Sequence, residues 1–129
     1  MNYININPNP QNKLTGDCVI RAICLAEDKE WDDIFMELMM KSYIMKEMPT
    51  QNNVWGSYLH DIGYKRYMVS DDCPDCYSIK DFIEENPIGT FIVATGTHVV
   101  LSKDGQLYDT WDSSNEIPLF YFVKENKND

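Results

Sequence analysis

Two histidines are all that this chain of 129 residues contains, and basic residues are few: eleven Lys and Arg stand against twenty-one Asp and Glu, a formal charge of -10. An acidic excess of that size repels a phosphate backbone and leaves few cations to contact one, so nucleic acid is excluded as an expected direct partner. Long hydrophobic runs are missing too. None approaches the roughly 18 residues of a membrane span, and the opening "MNYININPNPQNKLTG" has no basic stretch leading into an apolar one, as a secretory signal would. The expectation is no membrane association and a cytoplasmic location. The four cysteines then read as reduced thiols rather than a disulfide framework.

A second CxxC pair is absent as well. "CPDC", Cys73 to Cys76, stands alone, whereas a structural zinc takes four ligands, commonly from two such knuckles. No metal or cofactor is assigned, and no phosphate-cradling glycine loop offers a site for the acyl donor that a transferase would need. Internal repeats and low-complexity segments are lacking. With 43% hydrophobic and 12% aromatic residues, the chain is expected to form one domain, residues 1–129, around a single core. Its oligomeric state is not legible.

The Asn- and Pro-rich "NINPNPQNK" reads as an extended or turning arm, with regular structure expected only after it. From Cys18 to about Ala26, Val19, Ala22, Ile23, Leu25 and Ala26 recur at helical spacing, with Thr15 or Asp17 available as cap. A second helix follows in "KEWDDIFMELMMKSYIM", with a stripe of Trp31, Ile34, Phe35, Leu38 and Met39. A third lies in "TQNNVWGSYLHDIG", where Thr50 can cap and Gly63 can close. "YKRYMVS" suits a strand, and "SIKDFIEEN" a short helix capped by Ser78. After that the pattern changes to "TFIVAT", "HVVLS", "QLYDTW" and "LFYFVK", β-branched or aromatic runs between turns, which predict consecutive antiparallel strands. Helices first and strands last make an α+β fold.

His60, beside Asp61 in the third helix, reads as a rim residue, whereas His98 opens the strand "HVVLS". If Asp104-Gly105 forms a two-residue turn, Lys103 pairs with Gln106, Leu101 with Tyr108, Val100 with Asp109 and His98 with Trp111. His98 and Asp109 then share a face as diagonal neighbours. The carboxylate can hold one edge of the imidazole while the other takes a thiol proton. A three-residue loop would instead flip Asp109 away and make Asp112 the partner; Asp109 is preferred because Asp112 opens the polar turn "DSSN". Cys18, at a helix N-terminus, is the candidate nucleophile, favoured by the macrodipole and opposed by the adjacent charge of Asp17. Its own N–H and an upstream amide, Asn12 or next Gln11, are candidates to hold an oxyanion. Cys24, deeper in the same helix, reads as core.

These residues resemble the papain-like cysteine peptidases, in particular compact bacterial and phage forms related to the double-glycine leader peptidases. In that superfamily an amide residue stands six positions before the active cysteine, as Asn12 does before Cys18. The leader peptidases carry Asp directly before it, matching Asp17-Cys18. The histidine opens a later strand, as in "GTHVV", and an orienting Asn or Asp is followed two positions on by a shielding tryptophan, matching Asp109 and Trp111 in "YDTWD". The resemblance implies a papain-like fold and a thiol hydrolase without cofactor, acting on a peptide or protein substrate. Cys18 would be nucleophile, His98 base, Asp109 orienter, Asn12 oxyanion donor and Trp111 support. Two other readings stay open: an inactive papain-like scaffold that binds a partner protein, and acyl transfer by the same three residues.

Overall fold

The computed structural model describes residues 1–70 and 77–124. The fold is α+β, with strand β1 (Asn2–Asn5), helices α1 (Cys18–Glu27), α2 (Trp31–Met45) and α3 (Asn52–Asp61), strand β2 (Tyr64–Met68), helix α4 (Ile79–Glu85), and strands β3 (Thr90–Ala94), β4 (Val99–Lys103), β5 (Gln106–Asp109) and β6 (Phe120–Lys124). The six strands form one mixed sheet in the order β1-β5-β4-β3-β6-β2.

Both faces of the central strands are covered, and that explains why they read as unbroken apolar runs rather than alternating ones. On one face Ile92, Ala94, Val99, Leu101, Phe120 and Phe122 pack with residues of α1, α2 and α3. On the other, Phe91, Val93, Val100 and Leu107 pack under Ile79, Phe82 and Ile83 of α4. Helix α4 starts where expected: the Ser78 hydroxyl accepts the Asp81 N–H and the Asp81 carboxylate accepts the Ser78 N–H, a reciprocal capping box.

Four expectations are corrected. Regular structure begins before the Pro-rich arm, because Asn2–Asn5 pairs in parallel with β5. The strands are not a simple meander. β6 passes β5 and β4 to pair with β3, and β2 pairs outside it. In α2 the buried stripe is narrower than the periodicity implied: Ile34, Leu38 and Ser42 are buried, while Met36, Met39, Met40, Tyr43 and Ile44 are exposed. The N-cap of α3 is Gln51 rather than Thr50. "DDCPDC", with Cys73 and Cys76, lies outside the described residues. Among the described residues no helix is long and apolar enough to cross a membrane.

The feature that positions the site is the β4–β5 hairpin. Its register is Lys103↔Gln106, Ser102↔Leu107 and Leu101↔Tyr108, the pairing of a two-residue loop. Asp104 and Gly105 both have positive φ, 50° and 81°, as a turn matching the strand twist requires. The Asp104 carboxylate also accepts the Gly89 N–H at 3.0 Å. An alanine at position 105 must adopt the left-handed region, and its Cβ would stand 3.4 Å from the Pro87 carbonyl. Gly105→Ala is expected to lower stability by about 1–2 kcal/mol, read from the urea unfolding midpoint, with Gly105→Asn losing less.

Candidate active site

The loop from Thr95 to His98 fixes the backbone that carries the histidine. The Thr95 hydroxyl accepts the N–H groups of Thr97 and His98 at 3.2 and 3.0 Å, and the Thr95 N–H donates to the His98 carbonyl at 2.8 Å. Across the hairpin, His98 Nε2 lies 2.7 Å from Asp109 Oδ2. With Nε2 held there, Nδ1 is the nitrogen left for Cys18, which lines the same cleft as His98 and acts on its titration. The Trp111 ring, itself 45% exposed, lies over His98 with centroids 5.1 Å apart and planes tilted by 32°. Asp112 is turned elsewhere: it is exposed, and its carboxylate accepts the Ser114 N–H at 3.1 Å and is held below the usual carboxylate range by bonding to Ser114.

Asp109 is buried, and its oxygens have four partners. Besides His98, the Ser113 hydroxyl donates to Oδ2 at 2.7 Å, the Thr110 N–H donates to Oδ1 at 2.7 Å, and Arg21 Nη2 stands 3.8 Å from Oδ1. Arg21 is buried too and pairs on its other side with Asp17. Asp17 also accepts Trp31 Nε1 at 3.0 Å and Asn9 Nδ2 at 3.3 Å. A buried Asp17–Arg21–Asp109 chain therefore runs behind the histidine. Asp17 occupies the N-cap position of α1 but makes no side-chain cap bond.

This alters the electrostatic expectation for Cys18. Asp17 was expected to oppose the thiolate as a neighbouring like charge; the structure ties that carboxylate to Arg21. Burial pushes the Cys18 thiol up, but the hydrogen bond from His98, the Val99 N–H, and the charges of His98 and Arg21 outweigh it, so its pKa is lowered. Burial pulls His98 down, yet its bonds to Asp109 and Cys18 and their charges raise it to about 9. The two shifts together favour thiolate and imidazolium. Cys24 has the opposite character. It is buried, and burial raises its thiol to about 11.

A cleft of about 280 Å³ opens at the thiol, lined among others by Gly16 and Cys18, by Thr95 to Val99, and by Asn52 and Trp55 of α3. Asn12 is not among its lining residues. It lies exposed in the arm at φ 55°, its Oδ1 accepting Asn7 Nδ2 at 3.4 Å. Asn52 is the side-chain amide that the structure places at the cleft. Its Oδ1 accepts Trp55 Nε1 at 3.2 Å, which leaves its NH₂ group for a ligand.

The sequence reading brought together Cys18, His98, Asp109 and Trp111, and missed Arg21, Ser113, Thr95 and Asn52. One signal was available: Arg21 stands four residues after Asp17, the spacing of a helical ion pair. Compared with models of protein families, with curated proteins and with solved structures, the chain matches none.

Two outcomes are expected. Alkylation of Cys18 by iodoacetamide, followed by peptide mass spectrometry across pH 5–10, should begin below the roughly 8.5 of an unperturbed thiol. His98→Ala should move that onset upward. Arg21→Met strands two buried carboxylates and should destabilise the protein by about 3–5 kcal/mol. In whatever fraction folds, the onset should rise because a cation is lost, whereas Arg21→Lys keeps the charge and most of the lowered onset.

Proposed function

We propose that the protein is a papain-like cysteine hydrolase acting on a peptide or isopeptide bond. The observation that carries this is the placement of Cys18 and His98 together on one cleft, each shifting the other's titration, with His98 Nε2 2.7 Å from Asp109 Oδ2. Nucleophile, base and orienter stand in the order that thiol acyl chemistry uses.

The Cys18 thiolate attacks the carbonyl carbon. Negative charge collects on the carbonyl oxygen, where the Cys18 N–H is one donor, because the first turn of a helix leaves its N–H groups without intrahelical partners. The Asn52 amide is the side-chain donor in the cleft. As the C–N bond breaks, His98 Nδ1 gives its proton to the leaving amine, and a thioester remains on Cys18. Water then attacks the thioester, His98 takes its proton, and the carboxylic acid leaves as the thiolate returns. Asp109 holds the ring in one tautomer and orientation throughout, and Trp111 covers the His98–Asp109 pair. Acyl transfer would differ only in the last step, with an amine in place of water.

The test is a peptide library incubated with the wild-type protein and with Cys18→Ala, and read by mass spectrometry. Cleavage should occur with wild type, vanish in Cys18→Ala and fall roughly 10²- to 10⁴-fold in His98→Ala. An added primary amine captured in the product would mark transfer. No turnover of any peptide, together with equal alkylation of Cys18 and Cys24, overturns the proposal and leaves the protein-binding scaffold.

A further inference from the structure

A second and larger cleft, of about 420 Å³, adjoins the one at Cys18, and Asn52 lines both. The volume lies within the roughly 300–1,000 Å³ of built ligand sites. Its floor is the pair of rings Phe120 and Phe122 of β6, and its wall is the face of α3 carrying Gly56, Ser57 and His60. Gly56 makes the floor possible, since a Cβ there would stand 3.2 Å from Phe122 Cζ. Trp55 lines the first cleft and stacks at 5.9 Å on Phe120 of the second, so the two share a rigid aromatic wall.

One charge stands over this apolar floor. The Arg66 guanidinium lies 4.5 Å from the centroid of Phe120, and no ion pair joins Arg66 to a carboxylate among the described residues. In a chain with almost twice as many acidic as basic residues, an exposed arginine that stands on a ring and, among the described residues, in no ion pair is suited to receive an anion. Its planar fork matches a carboxylate, and the ring beneath keeps it in place.

We propose that this cleft reads the substrate of Cys18, taking an apolar or aromatic side chain against Phe120 and Phe122 and an adjoining carboxylate against Arg66. The inference rests on the hydrolase reading for what happens next, but the recognition itself does not need turnover. Continuity through Asn52 makes one extended peptide the occupant of both clefts. The carboxylate can be an Asp or Glu side chain or a free chain end.

The experiment measures binding to full-length Cys18→Ala by calorimetry, using acetylated and amidated Ala-Phe-Glu-Ala against Ala-Phe-Gln-Ala, and Ala-Phe with a free against an amidated end. At least one carboxylate member should bind ten-fold or more tighter than its neutral counterpart; which one identifies the source. Arg66→Gln, on an exposed strand position, should collapse that ratio to near one, and Arg66→Glu should turn the preference toward Ala-Phe-Lys-Ala. In the wild-type protein the preferred peptide should slow alkylation of Cys18 at least five-fold. Equal affinities within both pairs, a preference that survives Arg66→Gln, or binding that leaves Cys18 alkylation unchanged would each overturn the proposal. Loss of the hydrolase reading alone would leave the binding ratios intact.

Discussion

A carboxylate buried as deeply as Asp109, 4% exposed, is tolerable only if it is paired and hydrogen-bonded. The partners come from separate parts of the chain. His98 ties it to the start of β4, Thr110 and Ser113 to the turn after β5, and Arg21 to α1. Arg21 is itself buried and draws in Asp17, which draws in Trp31 of α2 and Asn9 of the arm. Satisfying one charge thus fixes the sheet end, the helix that carries the thiol, and the loop in front of it. Two carboxylates around one guanidinium leave a net negative charge, and His98 meets the Asp109 carboxylate directly. The bond and charge of Asp109, with those of Cys18, raise the imidazole pKa to about 9 against the cost of burial.

The parts of the fold with a local signal were legible. Helices α1, α3 and α4 announce themselves by apolar spacing and by Ser78, and the last four strands by β-branched and aromatic runs between turn residues. The order of those strands was not, because propensity reports that a segment is extended without saying beside what. β6 lies beside β3 for the sake of burying Phe122 and Phe120 under α3. β1 was missed for a related reason. Four residues before a Pro-rich arm carry little periodicity, and their partner β5 lies about a hundred residues downstream. In α2 the helical period was right, but the width of its buried face depends on how closely α1 and α3 approach.

The candidate site divides in the same way. His98 and Asp109 could be related from sequence because two residues, Asp104 and Gly105, set a register that carries along both strands. Cys18 could be related to neither by any local rule; its approach to His98 depends on how α1 packs against the sheet. Arg21 was hidden by its setting in "VIRAI", where one basic residue among apolar neighbours reads as a solvated position. Burial changes its meaning, since an arginine in the core must have been matched to carboxylates.

Asp17 carries the deeper consequence of that pairing. An aspartate at an N-cap ordinarily accepts first-turn N–H groups and stabilises its helix by about 1 kcal/mol. Here the carboxylate turns toward Arg21, so α1 forgoes that contribution, and the buried ion pair holds the helix start instead. The first-turn N–H groups and the positive end of the helix stay available beside the Cys18 sulfur. A capped helix would have been locally more stable, with those donors occupied and a carboxylate facing the thiol. The arrangement observed ties the negative charge of Asp17 to Arg21 and turns it away from the sulfur, where it would have raised the thiol's pKa, while the Asp109 carboxylate raises the imidazole's. Both effects favour the ion pair of thiolate and imidazolium, and one buried guanidinium, standing between the two carboxylates, links them.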